Sequence, residues 1–403
     1  MAGPLEGVRV ADFTWVWAGP FCTLQLAHLG AEVIRVETAK RPCVTRMLPP
    51  WANGEFGLNR SGYFNQYNQG KLSLTLDLKN PRAVAIAKEL VAKSDIVCEN
   101  FAAGVMDRMG LGYSVLQQVK PDIIMIAMSG YGATGPESEF VSYGPAQVPL
   151  SGMSSLTGYR DWPPMHVGIS YGDPTGGLHG AVAVLAALLY RQRTGRGQFI
   201  DLSQQETTIA MLPEGVIDYT MNSTQPPRQG NRDPHMAPHG IFRCAGEQRW
   251  IAVAARDDAD WRRLARAIGR PELATDPEYA TLTARKANEE RLEEIITAWT
   301  LNQSPDDATR ILQAAGVPAF TVYNSKDLSE DAHLNAAGFF VNLEHPEVGV
   351  RQHVGIPWHM PGTPCAVREP APCLGQHNDY VLCDLLGYSS DEVAGFKSVG
   401  VVG

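Results

Sequence analysis

Residues 8–37 read VRVADFTWVWAGPFCTLQLAHLGAEVIRVE and decide the fold class. The apolar residues 8–12 predict a short strand, and a helix follows in which Pro20 takes a favoured early position. Gly30 ends that helix, and residues 32–37 predict a second strand. A strand, a helix and a strand so closely spaced predict a parallel βαβ unit, and therefore an α/β fold.

The pattern then repeats along the chain. Further strands are predicted over residues 71–78, 95–98, 122–128 and 199–202, with helices over residues 81–92, 113–119 and 173–192. The strands over residues 95–98, 122–128 and 199–202 each follow a predicted helix, so the repeats extend the opening βαβ unit.

The composition changes after Met221. Residues 222–238 are rich in proline, asparagine, glutamine and arginine, which is typical of a long surface connection. A hairpin around residues 245–247 and helices near residues 258–268, 285–299 and 305–315 follow. We assign residues 222–340 to this connection and to a second, smaller α+β domain. From about residue 341 the chain is rich in proline and histidine, and it ends with a helix near residues 379–386.

The whole chain has the composition of a globular protein. Hydrophobic residues make up 44% and charged residues 19% of its 403 residues, which predicts a large core and two domains. The longest apolar run, residues 181–190, is half a membrane span, and we expect no signal peptide, because the first residues show no basic stretch followed by an apolar one. The net charge of −9 argues against nucleic-acid binding. Seven scattered cysteines indicate reduced thiols and a cytoplasmic protein.

Three common kinds of site are disfavoured by the residues themselves. The first βα turn lacks G-x-G-x-x-G, and Pro20 removes an N–H that a pyrophosphate would use, so a nicotinamide or flavin cofactor is not expected. His235 and His239 each follow a proline and do not share a helix face, which argues against a metal site. Ser129 lacks the G-x-S-x-G frame of a nucleophile elbow.

Asp173 permits two interpretations. It precedes Pro174 at a predicted helix start, which is typical of an N-cap. A carboxylate at a helix N-terminus is also suited to nucleophilic chemistry, because the local positive charge stabilises its ionised form and any developing oxyanion. Gly172, Gly176 and Gly177 would let a bulky thioester approach the backbone. The two roles are compatible, and the local sequence does not choose between them.

Motifs along almost the full chain resemble the class III CoA-transferases, the family of formyl-CoA transferase and carnitine CoA-transferase. They are PLEGVRVADFT (residues 4–14), LGAEVIRVE (29–37), Asn68 with Lys71, ENF (99–101), DRMG (107–110), SGYG (129–132), Gly172-Asp173, RTG-x-GQ (193–198), DP-x-Y (276–279) and LGQH (374–377). They occur in the order of the family.

The resemblance implies that Asp173 is the aspartate that carries the acyl group as a mixed anhydride and CoA as a thioester. It also implies a set of CoA-site residues: Ala18, Asn100, Phe101 and Arg108 as contacts, with Lys71 and Tyr143 lining the site. Arg108 could instead be a solvated helix residue, Asn100 a strand-end turn and Lys71 a strand-edge charge. Coenzyme A is then a cosubstrate, and no metal or redox cofactor is needed.

The sequence departs from the family pattern in three places. Thr38 stands where an arginine usually contacts the adenine side of CoA, which leaves Lys40 and Arg41 as candidates. Trp15 and Trp17 replace polar residues of formyl-CoA transferase and, with Trp51, suggest an apolar or aromatic substrate surface, although burial in the core explains them equally well. The tetraglycine flap is absent from residues 229–240, so a small oxalate-type acceptor is not expected.

Two alternative functions belong to related proteins. The α-methylacyl-CoA racemases use a histidine base where this chain has Tyr143, and tyrosine is a poor base at neutral pH. A noncatalytic CoA-binding subunit would not require Asp173. The transferase interpretation therefore stands first.

The resemblance also carries expectations about assembly and substrate. It implies an interlocked dimer whose large Rossmann-like domain is built from residues 1–221 and completed by residues 341–403. The segment around Trp15 and Trp17 looks most like succinyl-CoA:benzylsuccinate transferases, which pair two related chains. We therefore expect acyl-CoA and carboxylic acid substrates, and either a homodimer or a heteromer with a related subunit. No nucleic-acid or membrane partner is expected.

Overall fold

The computed structural model describes residues 3–403, which form two compact units. The first contains the residues up to Ser154, together with His166–Thr224 and His333–Gly403, and the second contains Ser155–Met165 and Gln225–Ala332. The second unit thus differs from the expected range 222–340. It gains residues 155–165 because the N–H of Gly230 donates to Gly158 O at 2.9 Å and Arg228 Nε donates to Trp162 O at 3.1 Å.

A six-stranded parallel sheet is the centre of the first unit. Its strands are β1 Arg9–Asp12, β2 Glu32–Glu37, β3 Leu72–Thr75, β4 Ile96–Glu99, β5 Ile124–Ser129 and β6 Phe199–Ser203. The strand order is β3-β2-β1-β4-β5-β6, the order of doubly wound Rossmann folds. Val10 pairs with Val33 on one side and with Ile96 on the other, so β1 and β4 meet where the strand order reverses.

Helices pack on both faces of this sheet. In chain order, the helices from Ala18 to Asn222 are α1 Ala18–His28, α2 Gly62–Tyr67, α3 Pro81–Ala92, α4 Val105–Arg108, α5 Tyr113–Val119, α6 Gly144–Leu150, α7 Met153–Leu156, α8 Gly172–Thr194, α9 Gln204–Ile209 and α10 Pro213–Asn222. The last two residues of α7 belong to the second unit. Val10 belongs to the apolar cluster under α1 and α8, whereas Ala11 belongs to the cluster under α3 and α5. Because neighbouring residues of β1 point to opposite faces and both faces are apolar, the sheet is buried on two sides.

The second unit contains a small antiparallel sheet with helices around it. Its elements are β7 His239–Arg243, β8 Trp250–Ala254, α11 Asp258–Ala267, α12 Leu282–Ala287, α13 Glu289–Thr300, α14 Pro305–Ala314, β9 Ala319–Thr321 and α15 Ser325–Glu330, in the sheet order β7-β8-β9. The single helix expected over residues 285–299 is two helices, because Asn288 leaves the helical conformation at φ −113° and ψ 27°.

The C-terminal segment returns to the first unit. Its elements are α16 Ala332–Ala336, β10 Phe340–His345, β11 Gly349–Val354, a helical segment Tyr380–Leu385 and α17 Ser390–Ser398. Val381 and Val401 are fully buried in the apolar cluster that also holds Phe13 and Ile34. Residues near both ends of the chain therefore share one core, whereas the hairpin β10–β11 and α17 were not predicted from sequence. No helix within residues 3–403 is long and apolar enough to cross a membrane.

Candidate active site

The Asp173 carboxylate lies at the N-terminal ends of two helices. Asp173 is the second residue of α8, and the N-cap position of that helix belongs to Tyr171. Asp173 Oδ1 accepts a hydrogen bond from the N–H of Ala18, the first residue of α1, at 3.3 Å. The N-cap interpretation of Asp173 is therefore wrong. Since a helix N-terminus carries partial positive charge, both helices favour negative charge at this carboxylate.

Small residues on α8 allow the two helices to meet this closely. A Cβ at Gly177 would lie 2.8 Å from Ala18 O and 3.1 Å from Cys22 N, both backbone atoms of α1. The first distance is too short for any side chain. The glycines that the sequence analysis assigned to thioester access thus include one, Gly177, that lets the backbones of α1 and α8 touch and places Asp173 beside Ala18.

Burial controls the acidity of Asp173. The residue is 6% exposed, and removal of the carboxylate from water raises its pKa to about 7, with the Ala18 N–H opposing that rise. Its other oxygen, Oδ2, lies against Gly144 of α6, where an added Cβ would be only 1.5 Å away. A buried carboxyl with a raised pKa and a single hydrogen-bond donor is typical of a functional group.

Two tyrosines of α2 lie close enough to feel the charge of Asp173. Burial, and secondly that charge, raises the pKa of Tyr67 to about 12, and the pKa of Tyr63 rises further for the same reasons. Their rings stack edge to face at 5.4 Å, and Trp17 packs on Tyr67 at 5.1 Å. We call Trp17, Tyr63 and Tyr67 the aromatic wall. Neither tyrosine was predicted as a site residue, because no spacing in the chain links Tyr63 or Tyr67 to Asp173.

Trp15 and Asn100 join the loops that follow β1 and β4. The N–H of Trp15 donates to Asn100 Oδ1 at 2.7 Å, and Asn100 Nδ2 donates to Trp15 O at 2.8 Å. Phe101 packs on the Trp15 ring at 6.3 Å, and the Arg41 guanidinium lies 5.5 Å from its centre. These residues follow the carboxyl ends of β1 and β4, where doubly wound sheets bind their ligands.

The backbone between the two tryptophans is unusual. Val16 has φ +61°, a conformation that β-branched residues rarely adopt, and its N–H donates to Cys43 Sγ at 3.3 Å. Trp15 is half-buried beside Phe101, whereas Trp17 is buried in the aromatic wall. Strained residues of this kind cluster at functional sites. The two tryptophans therefore differ. Trp17 is buried like a core residue, whereas part of the Trp15 side chain is accessible to a ligand.

The Lys71 side chain is buried and does not line this site. Its ammonium is fully buried and donates to Thr23 Oγ1 at 2.8 Å and Pro20 O at 3.0 Å, and it lies 3.3 Å from Asp12 Oδ2. Burial lowers its pKa to about 8, against the effect of Asp12. The structure therefore places Lys71 in an internal ion pair beneath α1, where it has no open side for a ligand.

Three other predicted site residues that the structure describes, Tyr143, Arg108 and Trp51, make no hydrogen bond to Asp173. Tyr143 is 65% exposed and immediately precedes Gly144, which contacts Asp173. Arg108 is exposed at the end of α4. Trp51 packs on Phe56 at 5.7 Å and lines a cleft together with the two tyrosines of the aromatic wall.

Lys40 and Arg41, the two candidates for the adenine side of CoA, have different surroundings. Lys40 Nζ forms an ion pair with Asp77 at 2.7 Å, so Arg41, which lies over Trp15, is the better placed of the two. No group of three histidine, cysteine, aspartate or glutamate side chains suited to a metal ion occurs among the residues that the structure describes.

The chain is similar in sequence to several CoA-transferases. A succinyl-CoA–D-citramalate CoA-transferase of Chloroflexus aurantiacus is 35% identical over 99% of this chain and 98% of its own. A succinate–glutarate CoA-transferase of Agrobacterium fabrum is 33% identical over 95% and 96%, and a formyl-CoA:oxalate CoA-transferase of Afipia carboxidovorans is 33% identical over 100% and 98%.

A solved structure has a similar fold over almost the whole chain. The crystal structure of a CAIB/BAIF family protein from Brucella suis superposes with a TM-score of 0.88 at 29% identity, covering 96% of this chain and all of that one. The model of CoA-transferase family III matches residues 5–378. With this match and full-length relatives above 30% identity, the chain belongs to the class III CoA-transferases, enzymes that move CoA between acyl-CoA and carboxylic acids.

Proposed function

We propose that this enzyme transfers CoA from an acyl-CoA donor to a carboxylic acid through covalent intermediates on Asp173. One observation carries the proposal: a buried carboxyl with a pKa of about 7 at the N-termini of α1 and α8, bonded to the Ala18 N–H and not to its own helix. Such a group is basic enough to attack a thioester and is ionised in a useful fraction of molecules at neutral pH.

The reaction proceeds in four balanced steps. An ionised Asp173 oxygen attacks the donor thioester carbonyl, the C–S bond breaks, and an acyl-aspartyl anhydride and a CoA thiolate form. The thiolate attacks the aspartyl carbonyl of that anhydride, which releases the donor acid as a carboxylate and leaves an aspartyl-CoA thioester. The acceptor carboxylate attacks the carbonyl of this thioester, the C–S bond breaks, and a second anhydride, between the acceptor and Asp173, forms with release of the thiolate. The thiolate then attacks the acceptor acyl carbon of that anhydride, which forms the new acyl-CoA and releases the Asp173 carboxylate.

The surroundings of Asp173 suit these intermediates. Each attack places negative charge on a carbonyl oxygen, and the N–H of Ala18 with the two helix N-termini can stabilise it. An anhydride is also lost if water reaches it. The aromatic wall of Trp17, Tyr63 and Tyr67 presents apolar ring surface on one side of the carboxyl, which helps to exclude water.

CoA is assigned to the crevice after β1 and β4. Trp15 and Phe101 offer ring faces there, and Arg41 and Arg108 supply positive charge to a protein whose net charge is −9. Asn100 fixes the Trp15 loop through two hydrogen bonds. Ala18 and Tyr143 complete the proposed site near Asp173, whereas Lys71 supports it from beneath by its ion pair with Asp12.

The proposal extends to substrate, assembly and location. The relatives named above act on D-citramalate, glutarate or oxalate, all dicarboxylic acids. We assign succinyl-CoA as donor and benzylsuccinate or another dicarboxylate as acceptor. The active form is an interlocked homodimer or a heteromer with a related chain. The seven cysteines are free, as a reducing cytoplasm would keep them.

Trapping the aspartyl carbonyl tests the mechanism. Hydroxylamine should convert Asp173 to a hydroxamate only when an acyl-CoA donor is present, and peptide mapping by mass spectrometry should find the label at that residue. Asp173→Asn is the matched variant that should remain unlabelled, and Glu139→Gln, at an exposed carboxylate, should be labelled as the wild type is. An unmodified Asp173 peptide from an enzyme that is turning over would assign the acyl transfer to another group.

A further inference from the structure

A cleft of about 380 Å³ opens between α2 and the hairpin β10–β11. Trp51, Tyr63 and Tyr67 line it from one side, and Arg351 and His353 of β11 line it from the other. Tyr63 and Tyr67 also pack on Trp17, at 5.9 Å and 5.1 Å between ring centres, and the next residue, Ala18, donates its N–H to Asp173 Oδ1. Burial, and secondly the charge of Asp173, raises the pKa of both tyrosines. The cleft therefore borders the surroundings of the reacting carboxyl.

The hairpin is fixed to α2, so the two sides of the cleft keep their spacing. Gln66 Oε1 accepts from the N–H of Val354 at 3.1 Å, and Gln66 Nε2 donates to Val354 O at 3.0 Å. Arg60 Nη1 donates to Glu347 O at 3.3 Å. A side chain on β11 is consequently positioned relative to the tyrosines by rigid elements and not by a free loop.

Arg351 brings a charge to this cleft that the protein itself does not neutralise. Its Nη2 donates to Asn53 Oδ1 at 3.1 Å and its Nη1 to Val350 O at 2.8 Å, both uncharged acceptors. Arg60, by contrast, pairs with Glu55 at 2.9 Å. Burial, and then His345, lowers the pKa of His353, so that imidazole adds no charge at neutral pH. Among the described residues that line the cleft, Arg351 is the cation without a carboxylate partner.

We propose that Arg351 binds the second carboxylate of a dicarboxylic substrate while the first carboxylate reacts at Asp173. This inference rests on the proposed function. A monocarboxylic acid has only its reacting group, whereas a dicarboxylic acid also brings a second anion. That anion loses part of its hydration beside the rings of the half-buried Trp51 and Tyr63, and the exposed guanidinium of Arg351 compensates for the loss. A guanidinium presents parallel donors that match a carboxylate. The carbon chain between the two carboxylates packs on the aromatic rings, in a volume typical of small-molecule sites.

Binding of two acids with equal carbon number tests the proposal. Glutarate and pentanoate differ by one carboxylate, and calorimetry on the CoA-saturated protein compares them for wild type, Arg351→Gln, Arg351→Lys and the control Arg196→Gln, an exposed arginine after α8. Arg351→Gln should weaken glutarate by about 10–100-fold and leave pentanoate unchanged, because one charge-assisted contact is lost. Arg351→Lys should fall between, and Arg196→Gln should match the wild type. An unfolded Arg351→Gln would show in its circular dichroism, and Arg351→Lys then carries the comparison.

The outcomes separate this inference from the proposed function. Equal weakening of both acids, an unchanged glutarate affinity, or a wild type that does not prefer glutarate would each overturn the role of Arg351. Loss of CoA affinity in Arg351→Gln without loss of glutarate would make Arg351 a phosphate contact and would also overturn it. Hydroxylamine labelling of Asp173 is measured in the same proteins. Failure of labelling in the wild type refutes the covalent mechanism, whereas the affinity ratio of the two acids does not depend on it.

Discussion

Replacement of Asp173 by asparagine should stabilise the protein, and increasingly so as the pH rises. The native pKa of about 7 lies above the ordinary aspartate value of 3.8. The protonated form is thus favoured by folding, and the stability it gives is complete below the unfolded pKa and lost as pH rises through the native pKa. At 1.36 kcal/mol per pKa unit, ionising Asp173 costs the folded state about 4 kcal/mol in full.

The part of this cost that appears between about pH 5 and about pH 8 is roughly 2.5 kcal/mol, since the unfolded carboxyl is already ionised at the lower value. Asparagine keeps the shape and carries no charge, so it avoids the cost. Asp173 lies in the first and larger of the two units. For a unit of nearly 300 residues, we expect the melting temperature of Asp173→Asn minus that of wild type to grow by about 3–4 °C between about pH 5 and about pH 8.

Differential scanning calorimetry at four pH values measures the change, with Glu139→Gln as the control whose difference from wild type should stay constant. The same Asp173→Asn protein should lose at least about 1000-fold in CoA transfer, because its amide cannot form the anhydride. A melting-temperature difference that does not depend on pH would refute the perturbed carboxyl. A difference that reverses, with the variant less stable at high pH, would mean that Asp173 is an ordinary stabilising anion.

Four further outcomes follow from the same geometry. Gly144→Ala should lower kcat by more than about 100-fold in a folded protein, because its Cβ would meet Asp173 Oδ2 at 1.5 Å, whereas Gly395→Ala, in open space on α17, should keep full activity. The kcat/KM for the donor should rise about tenfold per pH unit below about pH 7 and level off above it, so a flat profile would contradict the need for ionised Asp173. Lys71→Met should destabilise the protein by about 3–5 kcal/mol, because it leaves the buried Asp12 carboxylate without its positively charged partner. An unchanged stability together with a raised KM for CoA would instead show that Lys71 binds CoA. A 2-methylacyl-CoA incubated in deuterated water should gain no α-deuterium, since Tyr143 is exposed and is a weak base, and incorporation at the rate of CoA transfer would support a racemase.

Local patterns predicted much of the sheet and little of the site. The strand over residues 32–37 and the helix over residues 81–92 occur as expected, because each carries its own periodicity and end signals. The hairpin β10–β11 was missed, since its strands lie in a segment rich in proline and histidine and only one of their faces contacts the protein.

Long-range contacts set the roles of the site residues. Asp173 looked like a cap because its partner, Ala18, is 155 residues away in sequence. The family resemblance implied that Lys71 lines the CoA site, and its local sequence did not show that Asp12 and Thr23 enclose its ammonium. The family motifs identified both residues, yet only the fold distinguishes a reacting group from a supporting one.

The two buried aspartates of the first unit show what makes one of them reactive. Asp12 accepts hydrogen bonds from the N–H and hydroxyl of Thr14 and from the Thr23 hydroxyl, and it pairs with Lys71. Although burial acts against it, this set of donors lowers its pKa. Asp173 is buried nearly as deeply, yet the opposing hydrogen bond to it comes from the Ala18 N–H alone, and its pKa rises. Donors that stabilise a carboxylate also reduce its basicity, so a fully satisfied aspartate would be a poor nucleophile and a good leaving group. The sparse environment of Asp173 therefore destabilises the fold and activates the carboxylate for the same physical reason.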